Sequence, residues 1–366
     1  MDKREFLKCL AVCGGVLAFD PFKMMALVES GELKEASYYI KTPRGIKCQI
    51  CPNECIIKTG EIGDCRTRLR KGDKLYTIAY SNPCSLHIDP IEKKPLYHFL
   101  PSSTIYSVAI AGCNLICLNC QNWSISQTSP TKTRNYNVPP TKLVEQAIKN
   151  NCKSIAYTYS EPIVFYEYMR DSAVIAKQKK IKTVMVSAGY INEKPLREVA
   201  KYLDAANIDL KSFSDEIYLK LCAGKLEPVL RTLKILKEMN VWLEITNLVV
   251  PSWTDDLKMI RKMCKWLKTN NFDDTPIHFS RFYPHYKLTQ LPPTPVLTLE
   301  NARKVALEEG LKHVYVGNVP GTKSSNTVCP HCKNTIVERK GYRIFKKNIK
   351  AGKCGVCGKP VAGVWD

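Results

Sequence analysis

Between residue 105 and about residue 320 the chain repeats one pattern: a short apolar, β-branched run, then a longer stretch with apolar residues at helical spacing. The runs are 105–111, 154–159, 183–187, 205–210, 241–250, 277–282 and 313–316, and amphipathic segments at 142–149, 163–179, 193–203, 228–239, 255–268 and 299–309 separate them. Strands that are apolar throughout are buried on both faces, and strands joined by helical crossovers lie parallel. The expected fold class is therefore α/β, an open, partial β/α barrel of about six parallel strands. Barrels of this kind gather their chemistry at the C-terminal ends of the strands. The residues that follow each run are thus the ones to read for function.

The first run leads straight into Cys113, Cys117 and Cys120, three thiols in eight residues. An iron–sulfur cluster ordinarily takes four cysteine ligands, so a compact Cys-x3-Cys-x2-Cys with no evident fourth partner leaves one iron open to another ligand. The plain alternative is a zinc site or a set of reduced core thiols.

This spacing, placed directly after the first strand of a β/α barrel, resembles the signature of the radical S-adenosylmethionine (radical SAM) enzymes. The resemblance implies a 4Fe-4S cluster on the triad whose open iron chelates S-adenosylmethionine. Reductive cleavage then yields methionine and a 5'-deoxyadenosyl radical, which abstracts hydrogen from a substrate. It also implies a one-electron donor such as flavodoxin or ferredoxin. Asn119 stands where that family usually has an aromatic residue.

Later strand ends extend the resemblance. Glu161-Pro162 keeps half of the family's Gly-Gly-Glu-Pro sequence, and Glu161 is the candidate acceptor for the cofactor's ammonium, with helix capping as the alternative. Ser187, in Ser-Ala-Gly-Tyr, is a further cofactor candidate. Alternation sends Asp209 and Lys211 to one face. In activase relatives such an Asp-x-Lys pair contacts the cofactor, although an internal ion pair would leave the same sequence. His278 and Arg281 are the substrate-side, catalytic candidates.

Residues 89–99 are Asp-Pro-Ile-Glu-Lys-Lys-Pro-Leu-Tyr-His-Phe, two proline-bounded turns in which Lys93, Lys94 and His98 read as structural and salt-linked surface residues, with a substrate-facing role as the alternative. Taken with Cys51-Pro52 and Gln121-Asn122-Trp123, they resemble the radical enzyme of the AmmeMemoRadiSam system, which is related to pyruvate formate-lyase activating enzyme. That closer resemblance implies Memo-like and AmmeR-like partner proteins and leaves the substrate unnamed. The nearest enzymatic alternative is a glycyl-radical-enzyme activase.

Seventeen cysteines, grouped in short-spaced sets, point to metal chemistry in a reducing compartment instead of a secreted disulfide framework. Cys48, Cys51, Cys55 and Cys65 form a quartet suited to zinc or an auxiliary cluster. Cys329, Cys332, Cys354 and Cys357 form two Cys-x2-Cys knuckles, a zinc ribbon by spacing. The formal charge is 55 − 34 = +21. Residues 329–366 carry nine Lys or Arg against two acidic residues. That balance keeps open a non-enzymatic alternative, a zinc or iron–sulfur protein that binds nucleic acid or assists assembly.

Residues 1–30 resemble a twin-arginine export signal with Lys3 in place of the first arginine, or an N-terminal anchor. No run is long enough for an integral membrane span. A cytoplasmic protein is expected, with export or tethering through that N-terminus as the alternative. The expected division is 1–30, a Cys-rich domain at 31–104, the barrel at 105–325 and the zinc-ribbon-like tail at 326–366.

Overall fold

A computed structural model describes residues 33–365, so the twin-arginine-like reading of residues 1–30 lies outside the described residues. The organising element is an eight-stranded sheet. Numbering only this sheet and its helices, the strands are β1 (Ser85–Pro90), β2 (Thr104–Ala109), β3 (Ser154–Tyr157), β4 (Lys182–Ser187), β5 (Ala205–Asp209), β6 (Trp242–Val249), β7 (Ile277–Arg281) and β8 (Val314–Gly317). They lie in sequence order across the sheet. Strands β2 to β8 are parallel, and β1 pairs antiparallel with β2. Among the described residues no pairing joins β1 to β8.

The sheet thus has seven parallel strands where about six were expected, plus an antiparallel edge strand whose last two residues, Asp89 and Pro90, fall in the segment 89–99 that reads as turns. Proline hid that strand. Pro90 is the last residue of β1, at the sheet edge, where a missing N–H removes no ladder bond.

Each crossover is helical: α1 (Pro140–Lys149), α2 (Tyr166–Gln178), α3 (Glu193–Ala200), α4 (Asp215–Cys222), α5 (Leu226–Glu238), α6 (Leu257–Thr269) and α7 (Val296–Glu308). Their starts follow local chemistry. Asp256 caps α6 by accepting from Lys258 N at 3.0 Å and Met259 N at 3.2 Å, and Met259, Ile260, Met263, Cys264 and Leu267 then form its buried face. The segment 215–222 had not read as a helix, because only Tyr218, Leu221 and Cys222 are buried there. Its signal is the cap, where Ser214 Oγ accepts from Ile217 N.

Alternation along the strands separates two environments. Val108, Ile155, Tyr157, Met185, Ile208, Ile245 and Phe279 join the large core that packs under the helices. The opposite, concave face carries Ser107, Asn207, Glu244, Thr246 and His278, all buried. At the N-terminal ends of the strands this face is filled by residues 91–100. Ile91, Leu96, Phe99 and Leu100 pack on Ile105, Ala156, Val184 and Ala205. Glu244 accepts from Tyr97 N and His98 N, and Asn207 Nδ2 donates to Pro95 O at 2.8 Å.

The tail closes over the same region. Its antiparallel sheet is Thr327–Val328, Thr335–Lys340 and Arg343–Lys347. Buried Arg339 donates to Tyr97 O at 2.9 Å and stacks on the Tyr97 ring, while Leu100 N donates to Val364 O at 2.7 Å. Before β1, two three-stranded antiparallel sheets use 34–35, 68–71 and 74–77, and 39–42, 45–48 and 56–57. No helix among the described residues is long and apolar enough to cross a membrane.

Candidate active site

Above the filled foot, the concave face opens into a cavity of about 460 Å³ at the C-terminal strand ends. Cys113, Cys117 and Cys120 all line it. The loop that carries them depends on Gly112, whose φ is +117°. A Cβ there would lie 2.7 Å from Cys65 O and 2.7 Å from Thr67 Cγ2, so only glycine lets the chain turn this close to its neighbour. Helix α4 then pins the loop from the other side, where Ile116 N donates to Cys222 O at 3.0 Å and Leu118 N to Leu221 O at 2.9 Å. Gln127 Nε2 reaches Leu115 O at 3.1 Å, and Asn122 Nδ2 holds Tyr159 O at 2.8 Å.

Cys117 is buried, and Cys113 and Cys120 are partly exposed. Burial, with Glu161 and Cys117 adding negative charge, pushes the Cys113 thiol well above its usual range, and burial raises Cys120 as well. Cys117 is lowered through its hydrogen bond with Cys222, a buried fourth thiol at the end of α4. Cys222 was not legible as a site residue. It lies more than a hundred residues from the triad and carries no motif.

Glu161, Ser187, Asp209 and Lys211 line the same cavity. Glu161 accepts from Ser187 Oγ at 2.6 Å, Ala188 N at 2.9 Å and Ile163 N at 3.2 Å. It caps the turn 162–165, which is the capping alternative for this residue, and also ties together the ends of β3 and β4. Burial raises its carboxyl above the ordinary value. Lys211 Nζ pairs with Asp209 Oδ2 at 3.0 Å. Burial works against the Lys211 charge, yet Asp209 and Cys117 hold its pKa well above the usual lysine value.

The two substrate-side candidates separate. His278 lines the cavity, with Nε2 2.7 Å from Glu244 Oε2 and its ring stacked on Tyr315. Arg281 is not among the lining residues; it donates to Thr294 O at 2.8 Å and to Tyr283 OH at 3.2 Å. Lys93 is exposed and salt-linked to Asp89, as its surface reading has it, whereas Lys94 is buried and corrects that reading. Both line the cavity, and Lys94 is only 2% exposed. Asp89 receives Lys93 Nζ at 2.9 Å, Lys94 Nζ at 2.7 Å, Ser107 Oγ at 2.7 Å and the Tyr159 hydroxyl. Against the effect of burial, these donors hold the Asp89 carboxyl well below the usual range, while burial brings Lys94 down to about 8. His98 is also buried, at the foot, with Nδ1 2.6 Å from Ala362 O.

Away from the cavity, Cys329, Cys332, Cys354 and Cys357 converge, their four sulfurs within 4.8 Å of one another. The pairs Cys329–Cys357 and Cys332–Cys354 are 3.7 and 3.8 Å apart. Thiolates about 2.3 Å from a tetrahedral zinc ion sit about 3.8 Å from each other, so the donor set fits that metal. Cys48, Cys51, Cys55 and Cys65 line a separate, small cavity, but no three of their sulfurs converge within 4.8 Å as those of the tail do.

Comparison with known proteins adds four findings. Residues 107–264 match the family model of the radical SAM superfamily. The "Uncharacterized protein MJ0808" of Methanocaldococcus jannaschii is 45% identical over 332 residues, covering 90% of this chain and 99% of that protein. The pyruvate formate-lyase 1-activating enzyme of Escherichia coli strain K12 is 24% identical over 218 residues, 56% of this chain and 89% of that enzyme. Among solved structures, Streptococcus suis SuiB bound to S-adenosylmethionine aligns with a TM-score of 0.47 and 14% identity, over 62% of this chain and 53% of that one.

Proposed function

We propose that the chain, which carries a radical SAM domain at residues 107–264, binds S-adenosylmethionine in the strand-end cavity and generates a radical that abstracts hydrogen from a substrate. One observation carries this reading: the cysteine triad, Glu161, Ser187, Asp209 and Lys211 come from four different strand ends and all face one cavity.

Cys113, Cys117 and Cys120 would hold a 4Fe-4S cluster, which when bound supplies the electron that cleaves the sulfonium to methionine and a 5'-deoxyadenosyl radical. The protein's own part is binding and placement. Glu161 has one donor on Oε2 and two on Oε1, leaving Oε2 free to take an ammonium N–H. Lys211 is the cation suited to the methionine carboxylate, exchanging its contact with Asp209. Leu115, Val186 and Leu248 give the cavity apolar wall that keeps water from a reactive radical. Tyr342, at the turn between the two tail strands, also lines the cavity and bounds the space left for substrate.

Within the superfamily we place the chain with the AmmeMemoRadiSam type, on the sequence of residues 89–99 and 121–127. Flavodoxin or ferredoxin is the proposed electron donor, and Memo-like and AmmeR-like proteins the proposed partners. An activase acting on a protein glycine is the second reading, favoured by the similarity to the Escherichia coli activating enzyme.

The test is anaerobic reconstitution with iron and sulfide, followed by dithionite and S-adenosylmethionine, with 5'-deoxyadenosine as the readout. Wild type should form it and Cys117→Ala should not. Glu161→Gln should weaken S-adenosylmethionine binding about 10- to 100-fold, the value of a hydrogen bond between charged groups. Failure of wild type to load iron on the triad would sink the reading.

A further inference from the structure

Two lysines of the strand-end cavity have no part in holding the cofactor. Lys93 and Lys94 close the turn that follows β1, fixed by Lys94 N to Ile91 O at 2.9 Å, and both line the cavity. Lys211, the cation suited to the methionine carboxylate, follows β5, four strands away across the sheet.

The two ammonium groups share one counter-charge. Lys93 Nζ meets Asp89 Oδ1 and Lys94 Nζ meets Asp89 Oδ2, and no other acceptor meets either of them among the described residues. Asp89 is itself divided among four donors, so two positive charges are set against one negative. Glu92 also lines the cavity, but its Oε1 accepts from Ser102 N at 2.7 Å and Arg339 offsets its charge. The second charge that bears on Lys94 is Lys93, and it acts against the ammonium. Lys94 has three N–H donors. It sets one on Asp89, and the ammonium rests over the Tyr159 ring at 4.1 Å.

Tyr159 is held in place under strain. Its φ is +66°, a left-handed conformation that a bulky residue rarely adopts and that tends to mark functional sites. Asn122, two residues beyond Cys120, fixes its carbonyl, so the strained residue links the lysine pair to the triad segment.

We infer that Lys93 and Lys94 bind an oxyanion of the substrate, a carboxylate or a phosphate carried by a small molecule, an inference that rests on the cavity being the reaction site proposed above. Lys94 is removed from water, where a cation attracts an anion more strongly than in bulk solvent. Lysine is a compact point charge that suits either group. An anion held at the β1 edge would fix one end of the substrate relative to the triad.

The test uses the full chain, purified anaerobically. Without cluster or cofactor, calorimetric titration with inorganic phosphate, and separately with acetate, should reveal one saturable site, and the tighter anion assigns the group. Lys94→Met should weaken that site about 10-fold or more. Lys93→Arg should keep it, and Lys142→Met, exposed on α1, should leave it unchanged. Trace acetylation of the unsubstituted protein, followed by mass spectrometry, gives a second readout: saturating phosphate should slow labelling of Lys93 several-fold and not that of Lys142. No saturable site, a site indifferent to Lys94→Met, or equal labelling rates overturn the inference. So does loss of the site on reconstituted protein saturated with S-adenosylmethionine, which would give the lysines to the cofactor's own carboxylate. A wild type that binds the anion but loads no iron on the triad would sink the radical reading and leave the anion site standing, so the two fail separately.

Discussion

Glu244 lies on the concave face of β6, fully buried, and four donors meet its two oxygens. Oε1 takes His98 N at 2.7 Å and Trp242 Nε1 at 3.2 Å, and Oε2 takes Tyr97 N at 3.0 Å and His278 Nε2 at 2.7 Å. Only a carboxylate accepts on both sides. In Glu244→Gln the amide nitrogen must face one pair of donors. The Oε2 side is the cheaper place, since His278 can switch tautomer and present Nε2 as an acceptor, while the indole of Trp242 can only donate. Tyr97 N is then left facing a donor, at about 1–3 kcal/mol. The two bonds that remain on oxygen drop from charged to neutral strength, about 1 kcal/mol each. The total is about 3–5 kcal/mol of lost stability for a change of one atom. Equilibrium urea unfolding under anaerobic conditions, followed by tryptophan fluorescence, measures it. Trp242→Phe, which removes one of the weaker donors, should cost about 1 kcal/mol. A loss below about 1 kcal/mol in Glu244→Gln would mean that the donors find other acceptors, and the account of the foot would be wrong.

Two further outcomes follow from the fold. Gly112→Ala places a methyl group 2.7 Å from a backbone carbonyl at φ +117°, and should lower iron and sulfide retained on reconstitution several-fold. Gly60→Ala, at φ +81° with open space around it, should cost only about 1 kcal/mol and leave iron content unchanged. His313 is buried with neither ring nitrogen partnered, and burial pushes it down to about 4. The unfolded chain takes up this proton near its ordinary value of about 6.5 and the folded chain only near 4, so stability is present above that window and falls as pH drops through it. Between pH 7 and 4.5 the wild type should lose about 2–3 kcal/mol more than His313→Leu, and equal losses in the two proteins would refute the assignment.

The parallel strands were legible because each is buried on both faces, which leaves runs such as Ile-Ala-Tyr in β3 and Val-Met-Val in β4 with no polar interruption. The triad and the tail knuckles stood out as candidate ligand sets because cysteines that share a metal on a tight turn lie close in sequence. What sequence did not reveal depends on distance along the chain. Asp89, Lys94 and Tyr159 look like a charged turn and an unrelated strand end until the fold stacks Lys94 over the Tyr159 ring at 4.1 Å. His278 looks like any strand histidine, and its carboxylate partner is 34 residues away. Arg281 failed to reach the cavity for a similar reason: the acceptor that turns it aside, Thr294 O, belongs to a loop with no periodicity to read.

The seam between residues 97–100 and the tail also bears on how the chain reaches this state. His98 meets Ala362 across 264 residues, and Arg339 meets Tyr97 O across 242. Closing a loop of that length in an unfolded chain costs roughly 5 kcal/mol of entropy before any contact rewards it. Long-range pairings of this kind are slow to form on their own. Once β2 to β8 have assembled, the ends are already neighbours and most of that cost has been met. Docking of the tail is therefore expected late in folding, on a chain whose sheet is already in register.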